Sequence, residues 1–470
     1  MEQLTLSPEI KTNGYQLDRE PFFHAQRSTL QAPRLHVAIV DEELPYPATS
    51  GKRIRTLNLT LRLARRHRIT YFCHRNADIG EARQAAVFFA DHGIETVVVD
   101  RVVPPKRGPK FYARLATNLL SPLPYSVASH TSPALNRAIQ DYAAENAVDL
   151  WHCEWTPYFE PLRRLVAARR LVMAHNVESL IWQRYCETEK NRLKRWYMRR
   201  QWRKFEHFEK RTFAEADQTV AVSFEDASLM RSRFRAGNVA VVENGVDVSF
   251  FQPADERRQL GRILFLGSLD WRPNLDAVNL LLNAIFPLVE TLEPSARLCL
   301  VGRNPPEWLR RKVNGTPAVE LHANVPDVRP YLAQCGILAV PLRIGGGSRI
   351  KILEALASGL PVVSTRVGAE GLSLQAGDHF VLVDRVEDMA NALVQTIRGH
   401  KKALQAAERG RRMVLCRYDW DVLAEQLETV WIRCVKNDMS EALEWAVRGR
   451  KPSDSSHSTS DSSPLICPKG

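Results

Sequence analysis

Several things are scarce in this 470-residue sequence. No window strings together the eighteen or more apolar residues that a membrane span requires, and Met1 to Leu30 lacks the apolar core of a secretion signal, so a cytoplasmic chain is expected. The eight cysteines are scattered, with no pair at the spacing of a zinc knuckle or a redox dithiol; they read as reduced and structural. No Gly-x-Gly-x-x-Gly follows either candidate first strand, which argues against a dinucleotide oxidoreductase. No Asp-x-Asp sits in a convincing loop, so no metal site is expected. Acid is also short on one side: the net charge of +12 lies almost wholly before residue 241, which suggests that the first half faces an anionic partner.

What is present is alternation. Leu35–Asp41 is a short apolar run, and Ile54, Leu57, Leu61 and Ala64 recur after it at helical spacing. Further runs fall at Ile69–Cys73, Ile94–Val99, Val148–Cys153, Leu171–Ala174 and Thr219–Val222. After the turn dipeptide Asn244-Gly245 and a polar linker, Gln252 to Gly261, the pattern restarts with strands at Ile263–Leu266, Arg297–Val301, Gly336–Val340 and Pro361–Ser364. Strands alternating with helices build parallel sheets covered on both faces. The fold class is therefore α/β, with two tandem Rossmann-like, doubly wound domains facing a cleft. Their expected bounds are 34–243 and 262–415, followed by a helix at 416–437. Residues 1–33 and 450–470 are expected to be unstructured tails.

The segment Pro341–Thr365 (PLRIGGGSRIKILEALASGLPVVST) is the most informative. A strand runs into three glycines and then a helix opening near Ser348, so the backbone can approach a ligand and unpaired N–H groups point at it. Arg349 and Lys351 oppose the helix dipole, which makes sense if a bound anion, most plausibly a diphosphate, compensates them.

From Leu35 to Tyr418 the sequence resembles glycosyltransferase family 4, the retaining enzymes of GT-B architecture. The match is carried by Glu354, by the Gly359, Pro361, Val362, Val363 strand start, and by Gly267–Asn274 (GSLDWRPN). The resemblance implies a nucleotide-sugar donor, UDP- or GDP-linked, with no separate cofactor, no metal, and retention at the anomeric carbon. It implies that Glu354 accepts hydrogen bonds from the ribose hydroxyls, and that Gly51, Arg272, Gly346, Gly347, Ser348, Arg349 and Lys351 hold the diphosphate. Lys52, Arg53 and Arg55 would reinforce Gly51. Two positions depart from the family pattern: Gly346 stands where its first motif glutamate is usual, and Ser268 at one of its arginine positions. Gly302 and Val325–Leu332 would lie near the base, although Asp327 also reads as a helix cap.

In the first domain the resemblance places His175, at a strand's carboxyl end, beside the transferred sugar. His152, Glu154, Trp155 and Asn176 are candidates for binding a glycan or lipid-linked acceptor. Polysaccharide or cell-envelope glycan assembly is the expected setting. The stretch 190–211 holds ten Lys or Arg, two Glu and five aromatics. It reads either as a helix with a core-facing aromatic stripe and solvated cations, or as a surface for anionic membrane lipids, which would make the chain peripheral at a membrane's inner face. No nucleic acid partner is expected. The rival readings are a nucleotide-sugar epimerase of the same architecture and a non-catalytic basic membrane-binding protein.

Overall fold

The computed structural model describes residues 33–105, 107–165, 167–254, 258–344 and 349–448, with side chains through residue 436. The terminal tails and the glycine-rich residues 345–348 lie outside them. Runs of branched and aromatic residues become parallel strands, the central ones buried on both faces and the outer β3 and β7 only partly covered: β1 (His36–Val40), β2 (Arg68–His74), β3 (Glu95–Val99), β4 (Leu150–Cys153), β5 (Arg170–Ala174), β6 (Gln218–Ala221) and β7 (Val239–Val241). They form one sheet in the order β3-β2-β1-β4-β5-β6-β7. The second sheet holds β8 (Gln259–Leu266), β9 (Arg297–Gly302), β10 (Val319–Ala323), β11 (Cys335–Val340), β12 (Val362–Thr365) and β13 (Val381–Val383), in the order β10-β9-β8-β11-β12-β13. In both sheets the order reverses beside the first strand, the point at which doubly wound sheets open a crevice beyond their carboxyl ends.

Five differences from the sequence expectations have physical causes. β7, β10 and β13 were not expected: they are outermost strands of three to five residues, and exposure on one side lets Glu320 and His322 interrupt the apolar run. The second domain starts at Gln259 and not at 262, because Arg258 donates to the carbonyls of Ala333, Cys335 and Ser358 and ties the strand's beginning to that sheet. The helix crossing back spans Trp420–Arg448 and not 416–437, since the helix before it runs on to Arg417. The donor-side helix begins at Ile350, with Arg349 as its N-cap, and not near Ser348. Finally, Arg272–Leu292 is long and apolar enough by length and composition to cross a membrane, against the expectation that nothing is; here it buries Ala277, Val278, Leu281, Ile285, Phe286 and Val289 in the core of the second domain.

The chain passes between the domains twice, and the two passages touch. Val246 N–H donates to Tyr418 O at 2.8 Å. A Cβ on Gly245 would stand 2.7 Å from that same carbonyl and 2.5 Å from Leu423, so only glycine fits. Trp420, Leu423, Leu427 and Trp431 of the crossing helix then join the first domain's core. Under this junction lies Arg55, fully buried, donating to Val242 O at 2.8 Å, to Asn244 Oδ1 at 3.2 Å and to Glu243 O. Burial brings its pKa down to about 10, which still leaves it charged at neutral pH. Replacing it leaves several buried acceptors unpaired. Arg55→Met is expected to cost about 2–4 kcal/mol of stability, read as a lower urea midpoint at unchanged slope.

Candidate active site

A cavity of about 600 Å³ lies between the sheets, lined by Gly51, Lys52, His175, Asn176 and Asn244 from the first domain and by Gly267, Asn274, Gly302, Arg349, Lys351 and Glu354 from the second. On the first-domain wall, Ser50 Oγ accepts from Arg53 N–H at 3.3 Å and caps the helix Gly51–Ala64, whose first residue therefore opens on the cavity. The neighbouring cations do not reinforce Gly51 as expected. Lys52 reaches the wall but donates to Asp41 at 2.5 Å, Arg53 pairs with Glu43 and Glu81, and Arg55 turns away to the interdomain junction.

On the second wall, where Arg303 and Arg349 also line the cavity, Lys351 is the cation held between Gly267 and Asn274. Its Nζ donates to Asn274 Oδ1 at 3.1 Å, and a Cβ on Gly267 would come within 2.9 Å of it, so that glycine clears the space for the ammonium. Burial, with the Arg349 charge beside it, lowers its pKa to about 7, Glu354 offsetting only part. Arg272 is not brought to the cavity: at the first position of its helix the side chain turns outward, and its guanidinium rests 5.6 Å from the Tyr185 ring of the first domain. Arg349 lines the cavity and is 4% exposed, and burial takes its pKa down to about 10 even though Glu370 lies 3.5 Å away. Glu370 also pairs with Arg184 of the first domain at 2.7 and 3.0 Å, so one carboxylate bridges the cleft. Glu354 sits one turn after Ile350, buried, with its side chain at the cavity wall. Gly346, Gly347 and Ser348 lie outside the described residues.

His175 follows β5 and is 8% exposed. Cys153 pairs with Val172 across the β4–β5 register, so Glu154 and His175 leave neighbouring strand ends. The Glu154 carboxylate lies 3.2 Å from His175 Nε2 and 3.0 Å from His152 Nε2, and accepts from Thr56 Oγ1 at 2.8 Å. Burial alone would raise its pKa; the two imidazoles outweigh burial and hold it well below the usual carboxylate range. Trp431 Nε1–H donates to His152 Nδ1 at 3.2 Å, and an indole only donates, so neutral His152 carries its proton on Nε2, facing Glu154.

This arrangement corrects two acceptor assignments: His152, under Trp431 of the crossing helix, and Glu154 are buried and do not line the cavity. Trp155, partly exposed, donates to Glu178 at 3.0 Å with Lys52 5.1 Å over its ring, and it too lies outside the cavity lining. Asn176 does line it, and its Oδ1 is buried with no partner among the described residues. At the far end, Gly302 is required because a Cβ there would meet Gly267 O at 1.9 Å. Asp327 lines the cavity and accepts Arg329 N–H at 2.9 Å and its guanidinium at 2.7 Å; it is not the helix cap, since Val328 is the N-cap of the helix that follows.

Three residues were missed. Asn274 closes the GSLDWRPN loop, Glu370 follows the β12 turn, and Asn244 was read only as turn punctuation. A polar residue at a turn beyond a strand's carboxyl end was the available signal. Cys299, Glu320 and His322, a group spaced to hold a metal, lies on β9 and β10 outside the cavity lining, with Arg262 already paired to Glu320.

Residues 50–250 match Glycosyltransferase Family 4 and residues 261–398 match Glycosyl transferases group 1. The chain belongs to glycosyltransferase family 4. Among curated relatives it is 29% identical over 249 residues to a phosphatidylinositol N-acetylglucosaminyltransferase component from Arabidopsis thaliana, covering 50% of this chain and 54% of that one. It is 26% identical to the MMP alpha-(1->4)-mannosyltransferase of Mycolicibacterium hassiacum, over 51% of this chain and 61% of the relative. The chain thus spans little more than half the length of these relatives. A sucrose-phosphate synthase structure from Thermosynechococcus elongatus superposes with a TM-score of 0.65 at 18% identity, covering 87% of this chain and all of that one. Anabaena HepE in complex with UDP and glucose gives 0.54 at 14% identity, again over 87% of this chain and all of that one. These structures share the two-domain GT-B fold.

In this family 4 chain Arg272 faces outward, and Arg303, Arg349 and Lys351 are the second domain's cavity-lining cations among the described residues. The sign of a pH effect follows. In the empty cleft Lys351 is half protonated near pH 7. A diphosphate beside it stabilises the ammonium, so binding above that pH takes up a proton, and affinity falls as pH rises until the bound-state pKa is passed. Nucleoside diphosphate Kd is expected to rise up to about tenfold per pH unit above 7, and to be flat there in Lys351→Met, as read by calorimetry.

Proposed function

We propose that the chain transfers a sugar from a nucleoside diphosphate sugar, UDP- or GDP-linked, to a hydroxyl of a glycan or lipid-linked acceptor, with retention and without a metal or separate cofactor. The observation that carries this reading is the pairing of walls: Lys351, Arg349 and Glu354 face Gly51 and His175 across one cavity of about 600 Å³, a size that fits such a donor. The names of the relatives support it, since they include a GDP-mannose-dependent phosphatidylinositol monomannoside mannosyltransferase of Mycobacterium tuberculosis, 26% identical over 45% of this chain and 61% of the relative. The expected setting is envelope or polysaccharide assembly on the cytoplasmic side of a membrane.

In this reaction the bond from the anomeric carbon to the β-phosphate oxygen breaks and the bond to the acceptor oxygen forms on the same face, the acceptor proton leaving with the departing phosphate. Negative charge grows on the diphosphate. Lys351, Arg349 and the N–H groups at the start of helix Gly51–Ala64 stabilise that charge more in the transition state than in the ground state, and a site shielded from water strengthens the effect. His175 contacts the sugar, held in place by Glu154. Glu354 accepts hydrogen bonds from the ribose.

Glu354→Ala is expected to weaken donor binding about 10–100-fold, the worth of one or two charge-assisted hydrogen bonds. Glu154→Gln is expected to lower kcat about 10–100-fold and move its pH profile while donor Kd changes less than about threefold. Product configuration by NMR tests the whole scheme: an inverted glycoside overturns it.

A further inference from the structure

We propose that the exposed face of the helix Arg192–Glu215, together with the turn after the helix Pro109–Asn118, seats the protein on an anionic phospholipid membrane. The five aromatics of 190–211 do not form one stripe. Phe205 and Phe208 are buried with Val127, whereas Trp196 is 50% exposed. Leu193 is 74% exposed on the same helix, and Leu120, from the turn packed beside it, is 92% exposed. Between them lies a hollow of about 580 Å³ whose floor is Leu119, Leu120, Pro122 and Trp196 and whose wall is Arg199, Arg200, Arg203 and Lys204.

The charge on this face is of one sign. Positions 193, 196, 200, 203, 204 and 207 recur at helical spacing, and no carboxylate lines the hollow. The helix's acids point elsewhere: Glu206 pairs with Arg233, Glu209 accepts the backbone N–H groups of Glu178 and Ser179, and Glu215 pairs with Arg163 and Arg211. Among the described residues Arg199, Arg200 and Arg203 have no ion pair, and Lys204 donates only to the Asn118 carbonyl at 2.6 Å. Scattered exposed leucines need no explanation, but leucine and tryptophan ringed by unneutralised cations match an anionic interface, where rings and aliphatic tips sink to headgroup depth and cations meet phosphates.

The placement is useful. The helix Glu178–Thr188, which begins just after His175, carries Tyr185 against Arg272 of the second domain, and the basic helix starts four residues after its last residue. From Arg192 to His207 it extends roughly 23 Å. The basic face thus lies on the helix that directly follows the one beginning behind His175. The inference goes beyond the transfer reading and holds whatever the donor.

The test is sedimentation of the full chain with phosphatidylcholine vesicles, plain or containing about 30 mol% phosphatidylglycerol, in low and high salt. The expected result is partitioning at least about tenfold stronger onto the anionic vesicles at about 50 mM salt and its loss near about 500 mM. Arg199→Glu with Arg203→Glu, and separately Leu120→Ser with Trp196→Ser, are each expected to cut it at least tenfold while the thermal shift given by UDP or GDP is unchanged, which shows an intact cleft. Equal binding to both vesicle types, or unchanged binding in both double variants, overturns the proposal. So does binding of duplex DNA without vesicle binding, or full competition by millimolar inorganic phosphate, which marks a free-anion pocket.

Discussion

Where the chain passes between its two sheets, the Val246 N–H bonds the Tyr418 carbonyl, and Gly245 lets the two passages lie in van der Waals contact. The first domain grips this junction through Arg55, buried under the carbonyls of Val242 and Glu243. Glu243 in turn holds Arg417 at 2.5 Å and the Tyr418 hydroxyl at 3.1 Å. This junction holds the two sheets with the carboxyl ends of both facing one cavity. On the far side Glu370 bridges Arg184 and Arg349, so a residue at the cavity wall is also part of what holds the cleft together.

The electrostatics of the cavity follow from burial. Lys351 is held near the point of losing its proton because water has been replaced by Phe265, Gly267 and Asn274, and because Arg349 is close. The proposed diphosphate would relieve both penalties at once, and stripped of solvent that interaction would be stronger than a surface lysine offers. Across the cavity His175 belongs to a chain of contacts through Glu154 and His152 to Trp431, on the helix that returns from the second domain. The residue nearest the proposed chemistry is thereby tied to the crossing helix.

Much of this was legible in the sequence. The strand–helix alternation identified both sheets, and the glycine-rich turn marked Arg349, Lys351 and Glu354, because those signals are local and periodic. The outermost strands were not legible, since β10 carries polar residues on its open side and β7 and β13 are only three residues long. Side-chain direction was not legible either. Arg272 and Lys351 looked equivalent as cations near a helix start, yet one points to Tyr185 and the other into the cavity. His152 and Glu154 looked like a strand-end pair open to a ligand, yet Trp431, 279 residues away from His152, covers the histidine, and Glu154 is buried among His152, His175 and Thr56.

By itself the sequence determined the two doubly wound domains and marked Arg349, Lys351 and Glu354 beside a glycine-rich turn in the second, because hydrophobic period and glycine placement act over a few neighbours. Only the tertiary structure decided which cation enters the cavity, which carboxylates are spent on His175 and on Arg55's junction, and which aromatics of the basic helix stay outside. Those outcomes depend on what the chain places next to each group from hundreds of residues away, and burial and charge pairing are set by that company alone.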